Sequence, residues 1–444
     1  MSTIAAISTA HGDAAIGVIR LSGPDAHKIA GAVFSPMPKK PRQAAVGVLS
    51  DGEGPVDKAV LTLWKAPRSY TGEDMAEFSC HGGRVVLRQA LAAVVAAGAR
   101  PAGPGEFTKR AFVNGKLDLA ESEGVIELIM ATSAAAARAA FSQSAGALSG
   151  EIRAIRQGLV EVDADIMAYV DFSSEGIEPP EPGGLLTRLR GAAGRLRKLL
   201  DTERRGRIVA EGAPCAIIGR PNAGKSSVMN LLSGRERSIV TDLPGTTRDV
   251  VEQPCELGGL LLRLMDTAGM RETADLVEAI GVERAKSAAA EAGLTLAVFD
   301  MSRPLTEEDM AVAALCRNRE AVALLNKCDL PAAADSAELT PYFKKLQRFS
   351  AKTGEGLGEL SAYIGGLYLP EEGEVLMTSL RHAEAAGRAL ARVEAAVSAL
   401  MDGELCDMAE FDIRAATRAL GEVTGEDVAD DVVDSIFSRF CVGK

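Results

Sequence analysis

The sequence predicts a multidomain α/β protein: an N-terminal α/β domain, then a helical domain built from two chain segments, with a second α/β domain inserted between them. Three observations carry that prediction. Short runs rich in Ile, Val and Leu, bounded by Gly, Pro or Asp, recur through the first 117 residues. Ala-rich stretches with Leu, Ile and Val recurring at three and four residues run from residue 117 to about 207 and again from 381 onward. Between them, a block of strand-like runs is punctuated by glycine-rich loops.

In chain order, residues 3–8, 16–23 and 56–64 are the strand candidates of an N-terminal domain spanning 1–117. Residues 118–212 form the first part of the helical domain, and Glu178-Pro179-Pro180-Glu181-Pro182-Gly183-Gly184 is expected to be a loop between helices. The inserted domain covers 213–372, and 373–444 returns to the helical domain. The 444 residues suffice for about three domains.

The 47% hydrophobic and 25% charged residues are ordinary for a globular protein, and no apolar run reaches the length of a membrane span. Met1-Ser2-Thr3-Ile4 has no basic segment leading into an apolar one, so no signal peptide is expected. Seven cysteines without a CxxC pair point to reduced thiols and a cytoplasmic location. His11 and His81 are too isolated to suggest a metal site. The net charge of −12 argues against a broadly basic nucleic-acid-binding surface. The stretch 188–207, with eight Arg and Lys residues, is the one local candidate for facing RNA, against the alternative of a solvated helix face.

The inserted domain carries the chemistry. After the apolar run Cys215-Ala216-Ile217-Ile218 comes Gly219-Arg220-Pro221-Asn222-Ala223-Gly224-Lys225-Ser226, then the helical pattern Ser227-Val228-Met229-Asn230-Leu231-Leu232. Strand, GxxxxGKS loop and helix are the parts of a phosphate-binding loop, whose backbone N–H groups and helix dipole favour an anion. Lys225 is expected to neutralise the β- and γ-phosphates, and Ser226 to ligate Mg²⁺. Asp266-Thr267-Ala268-Gly269 follows a second apolar run; Asp266 would hold Mg²⁺ through water and the Gly269 N–H would sense the γ-phosphate. Asn326-Lys327-Cys328-Asp329 ends a third run, where the Asp329 carboxylate can accept from guanine N1–H and the N2 amine. Adenine lacks that pair of donors. Ser350-Ala351-Lys352 would close over the base, completing four boxes of a Ras-like P-loop GTPase domain in order. Between the first two boxes, Thr247 in Thr241-Asp242-Leu243-Pro244-Gly245-Thr246-Thr247-Arg248-Asp249 is expected to complete the Mg²⁺ shell. Residues 250–257 and 260–265 form a hairpin around Gly258-Gly259. Where Ras has its water-positioning glutamine this chain has Met270, so hydrolysis needs another water-positioning group and another source of positive charge.

Over essentially its whole length the chain resembles the tRNA modification GTPases of the MnmE (TrmE) type. Asn222 with Gly245-Thr246-Thr247-Arg248-Asp249 resembles that family's potassium-dependent switch. The resemblance implies a K⁺ site formed by Asn222, Thr241, Leu243 and Thr246 and completed when two GTPase domains face each other. It places Glu278 as the residue that orients the attacking water, and it adds Ala223, Gly224, Ser227, Thr267 and Ala268 to the nucleotide contacts. Phe440-Cys441-Val442-Gly443-Lys444 resembles the family's Cys-x-Gly-Lys motif, which implies a role for Cys441 in the modification chemistry. Ser69-Tyr70-Thr71-Gly72-Glu73-Asp74, Cys80-His81-Gly82-Gly83 and the segment from Gly103 through Phe112 resemble its folate-binding, dimer-forming N-terminal domain. By that resemblance Arg20, Glu77, Lys116 and Lys444 contact a formyl-tetrahydrofolate of the 5-formyl type. Residues 9–15 replace the family's Gly-rich turn, which leaves folate contacts from that loop open.

The implied activity is that of a homodimeric, K⁺-stimulated GTPase working with the FAD-containing MnmG subunit, as a heterotetramer, on the wobble uridine of tRNA. Two other functions share the nucleotide boxes: a ribosome-assembly GTPase and a folate-sensing switch. Neither gives Cys441 and the folate residues a joint role.

Overall fold

The computed structural model describes residues 2–10, 12–172, 181–234, 252–265, 290, 292–402 and 406–444. The chain divides into two compact units, Met1–Ile126 with Gln143–Arg190 and Ala391–Lys444, and Glu127–Ser142 with Gly191–Leu390.

The first unit is organised on a seven-stranded sheet in the order β3-β4-β5-β6-β2-β1-β7. Its strands are β1 (Ile4–Ile7), β2 (Ala14–Ser22), β3 (Phe34–Ser35), β4 (Ala44–Ser50), β5 (Pro55–Trp64), β6 (Met75–Gly82) and β7 (Arg100–Pro101). All neighbouring pairs are antiparallel except β1 with β7. Strands β1, β2 and β5 fall on the runs expected from the sequence. On β6 the alternation is plain: Ala76, Phe78 and Cys80 are buried, whereas Glu77, Ser79 and His81 face the other way. The buried side packs under α1 (Ala26–Val33) and α2 (Arg84–Ala96), forming a core that includes Leu21, Leu61, Phe78 and Leu87. Beyond the sheet come α3 (Glu106–Val113), α4 (Leu119–Met130), α5 (Ala134–Ser144) and α6 (Ala147–Phe172).

Helix α7 spans Pro182–Asp201, so the break expected to be loop through Gly184 is already helix from Pro182. Proline costs nothing in the first helical turn, where its missing N–H has no intrahelical partner. Residues 178–180 of that break lie outside the described residues. Helix α8 (Glu203–Glu211) leads into the second unit's six-stranded sheet, ordered β13-β12-β11-β8-β10-β9. It comprises β8 (Ala213–Ile218), β9 (Glu252–Leu257), β10 (Leu260–Met265), β11 (Leu294–Asp300), β12 (Ala321–Asn326) and β13 (Lys345–Arg348). Only β9 is antiparallel to its neighbour, joined to β10 through Gly258 and Gly259 as the expected hairpin. The central parallel strands are buried without alternation, as strands covered on both faces must be: every residue of β11 and of β12 is buried. Helices α9 (Lys225–Ser233), α10 (Glu307–Leu315) and α11 (Leu357–Tyr368) belong to this unit. The chain then enters α12 (Leu380–Met401), α13 (Cys406–Thr424) and α14 (Asp430–Ser438). Helix α13 packs along α6 in the first unit, and α14 against α3. Helices α4, α5, α7 and α12 each have residues in both units. Among the described residues no helix is long and apolar enough to cross a membrane.

Candidate functional site

Strand β8 sits mid-sheet, parallel to β10 and β11, and its C-terminal end delivers the chain into the phosphate loop. Crevices at the carboxyl ends of parallel strands are where ligands bind in such sheets. Gly219 leaves the strand at φ 153°, and a Cβ there would meet the Val298 carbonyl oxygen at 2.5 Å. Gly224, at φ 104°, is the N-cap of α9. A Cβ on it would lie 2.2 Å from Asn326 Nδ2, so only glycine lets the two boxes approach. Lys225 Nζ donates to the carbonyls of Gly219 and Arg220, each at 2.8 Å, and burial lowers its pKa. Ala223 is buried, while Ser226, Ser227 and Asn222 are exposed; Asn222 has φ 63°. An exposed hydroxyl at the first turn of α9 suits a metal ligand, and the donor-rich loop suits a phosphate.

Asn326, 2% exposed at the end of β12, ties the site together. Its Nδ2 donates to Ala223 O at 2.8 Å, and its Oδ1 accepts from Ala351 N at 3.0 Å. The phosphate loop, the Asn-Lys-Cys-Asp box and the Ser-Ala-Lys box therefore meet on one side chain. Lys327, at φ 64°, reaches Asp300 Oδ2 at 2.7 Å. Burial acts against the charged Asp300, but bonds from Lys327 and Ser302 hold its carboxyl below the ordinary range. The fully buried Ser350 donates to Asp329 Oδ1 at 2.7 Å and accepts from Thr353 N at 3.2 Å, which orients the carboxylate expected to read guanine. Lys352 is exposed beside it in sequence. The other expected residues of this site, Thr241, Leu243, Thr246, Thr247, Asp266, Thr267, Ala268, Gly269 and Glu278, lie outside the described residues.

A second cluster forms in the first unit. Arg20 and Glu77 are directly opposed across β2 and β6, with Nε 2.9 Å from Oε1. Trp64 Nε1 donates to Glu77 Oε2 at 3.2 Å. The Arg20 guanidinium lies 5.3 Å from the Tyr70 ring centroid and 5.7 Å from that of Phe107. Its Nη1 is buried without a hydrogen-bond partner, a donor that an anionic or carbonyl-bearing ligand would satisfy. Lys444 joins this group: burial and then the positive Arg20 lower its pKa, partly opposed by Glu77. Lys116 is exposed, its chain lying over Gly72, and no hydrogen bond or ion pair joins it to Arg20 or Glu77.

The terminal segment is held by backbone contacts. Val442 bridges Pro104, Gly105 N donates to Cys441 O at 3.3 Å, and Phe107 N donates to Lys444 O at 3.2 Å. Ser8 Oγ donates to Gly443 O at 2.9 Å. Gly443 has φ 101°, and a Cβ there would meet Ile7 O at 2.4 Å. Cys441 is exposed, whereas Cys80, Cys215, Cys255 and Cys316 are buried; burial pushes the Cys80 thiol up to about 12.

Sequence reasoning assigned no role to Trp64, Tyr70, Phe107 or Ser8. Tyr70 and Phe107 lie inside motifs that it did single out, and the structure shows what those motifs do locally. Arg110, 5% exposed, donates to Glu73 at 2.9 Å and Glu106 at 3.0 Å and so joins the two segments. In the basic stretch 188–207, Arg188 pairs with Asp165, Arg205 with Glu374 and Arg207 with Glu203, which favours the solvated, ion-paired helix face.

Two family models match the chain. The family model described as "GTP-binding protein TrmE N-terminus" matches residues 3–116, and "MnmE helical domain" matches 119–441. The tRNA modification GTPase MnmE of Chloroflexus aurantiacus is 44% identical over 453 residues, covering 100% of this chain and 99% of that protein. Its namesake from Heliobacterium modesticaldum is 42% identical over 462 residues, with 100% and 99% covered. That from Lactococcus lactis is 41% identical over 452 residues, with 100% and 98% covered. With both family models matched and full-length relatives at this identity, the chain belongs to the MnmE (TrmE) family of tRNA modification GTPases.

Proposed function

We propose that this chain is a cytoplasmic, K⁺-stimulated GTPase that takes part in 5-carboxymethylaminomethyl, or aminomethyl, modification of wobble uridine in tRNA. The observation that carries the reading is Asn326, whose amide holds the phosphate loop and the base-binding boxes in one arrangement. In it Lys225 meets the β- and γ-phosphates, Asp329 reads guanine, and Ser350, Ala351 and Lys352 close over the base. Ser226 and Thr247 would hold Mg²⁺, with Asp266 acting through water, and Glu278 would orient the attacking water. Asn222 with Thr241, Leu243 and Thr246 would hold K⁺, which would supply positive charge to offset the negative charge that develops in hydrolysis.

Arg20, Glu77 and Lys444, with Lys116 at the edge, receive a formyl-tetrahydrofolate, the source of the one-carbon unit. The orphaned Nη1 of Arg20 and the acceptor carboxylate of Glu77 fit the carbonyl and amino edges of a reduced pterin. Cys441, exposed on the docked terminal segment, serves the modification step. The domains run 1–117, 118–212, 213–372 and 373–444. The protein acts as a homodimer with an FAD-containing MnmG-type subunit in a heterotetramer, and hydrolysis pairs the GTPase domains and orders the assembled site.

The test compares steady-state GTP hydrolysis in K⁺ and in Na⁺ at matched ionic strength, for the wild type and Asn222→Ala. A large stimulation by K⁺ that the variant loses supports the reading. Equal rates in both salts overturn the K⁺ site.

A further inference from the structure

We propose that Arg220 is a positioning residue of the phosphate loop, one that seats the Lys225 ammonium through its own main-chain carbonyl; the inference rests on the GTPase reading above. Lys225 Nζ has two acceptors in the loop, Gly219 O and Arg220 O. The first is fixed by packing, since Gly219 lies against the Val298 carbonyl with no room for a side chain. The second depends on how the Arg220 peptide is turned, and there the side chain is the restraint.

The Arg220 guanidinium is held at the start of α10 by two acceptors and an ion pair. Nη1 donates to Thr306 Oγ1 at 2.8 Å and to Asp309 Oδ2 at 3.2 Å, and Glu308 Oε2 lies 2.6 Å from Nε. Asp309 is a fixed anchor rather than a mobile surface carboxylate. It is 6% exposed, and the same oxygen accepts from Thr306 N at 3.0 Å and Thr306 Oγ1 at 2.9 Å. The segment that carries this anchor begins at Asp300, whose Oδ2 holds Lys327 of the base-binding box. Ten residues, 300–309, thus brace both halves of the nucleotide site, Asp300 toward the base and Asp309 toward the phosphates.

The phosphate lysine acts on the β- and γ-phosphates, so a residue that works through it matters only to ligands that carry them. The experiment measures the affinities of GMP and GDP for the full chain and for Arg220→Ala, Lys225→Ala and the double variant. Arg220→Ala is expected to weaken GDP about tenfold while GMP changes less than about twofold. In the Lys225→Ala background the Arg220 substitution is expected to add nothing, because the group it positions is gone. Asp309→Asn, which leaves Arg220 in place, is expected to show the same selective loss at smaller size, and it carries the test if Arg220→Ala does not fold. Equal losses for GMP and GDP, additive losses in the double variant, or no loss at all overturn the inference while GDP binding by the wild type keeps the GTPase reading intact. A wild type that binds no guanine nucleotide overturns both.

Discussion

In the six-stranded sheet, the groups that would meet a nucleotide leave the ends of two parallel strands, β8 and β12, that flank β11, and each arrives within a few residues of chain. In the seven-stranded sheet, the Arg20 cluster draws on β2, β5, β6, the start of α3 and a segment more than 300 residues further along. The first arrangement is set by loops whose glycines permit one backbone path. The second exists only after distant parts of the chain have docked. The two sites are therefore expected to fail in different ways and independently of each other.

The largest effect should come from Lys225→Ala, which removes the one ammonium that the loop holds on two carbonyls. A loss of about 1,000-fold in kcat/KM for GTP is expected in steady-state assays, with formyl-tetrahydrofolate binding unchanged by calorimetry. Folate binding lost in parallel would show that the two regions are not independent.

Asp329→Asn should follow, weakening GDP by roughly 1.5–3 kcal/mol through loss of the charge-assisted bonds to the base. Because the amide can donate where the carboxylate could only accept, xanthine nucleotides should gain relative to guanine ones in a competition assay. An unchanged preference would remove Asp329 from base recognition.

The reverse dissociation is expected from Gly443→Val. The left-handed φ and the nearby Ile7 carbonyl leave no space for a side chain, so the terminal segment should undock and carry Lys444 away from Arg20. Folate affinity should drop about tenfold, the equivalent of one charge-assisted contact, while GTP hydrolysis stays at the wild-type rate. Unaltered folate binding would show that Lys444 is not part of that site.

The smallest effect concerns acid stability. Burial opposes the charged Glu106, but bonds from Arg100, Gly103 N and Arg110 hold its pKa below the ordinary carboxylate value. A carboxylate depressed in the folded state binds fewer protons than in the unfolded chain, so its contribution is full above the ordinary value of 4.5 and lost as pH falls through the lowered one. Glu106→Gln should therefore flatten the acid side of the stability profile in denaturant titrations, the smallest of the four effects.

Legibility in the sequence followed the same division. The phosphate loop, the hairpin at Gly258-Gly259 and the order of β8, β10 and β12 could be read because each is a local pattern: an apolar run, then residues that a turn demands. Strand β6 escaped because its open face carries Glu77, Ser79 and His81, which break the apolar run that marks a buried strand. Arg20, Glu77 and Lys444 could be paired only through resemblance, since nothing in their spacing predicts that they meet. Trp64 and Ser8 carried no signal, because their value lies in a cross-strand neighbour and a remote carbonyl. The helix start at Pro182 was concealed by the very residues that mark loops elsewhere.

The hydrogen bond from Ser8 to Gly443 joins residues 435 positions apart. On a ribosome moving at 5–20 residues per second, that interval is roughly 20–90 s. The first unit's sheet can form early in synthesis, yet its Arg20 cluster must wait for the terminal segment. During that interval the nascent chain can already carry a complete set of nucleotide boxes. A message cut shortly before codon 441 would then yield a protein with its nucleotide boxes intact and its Arg20 cluster incomplete, a separation that ribosome profiling combined with folate capture of released fragments would test.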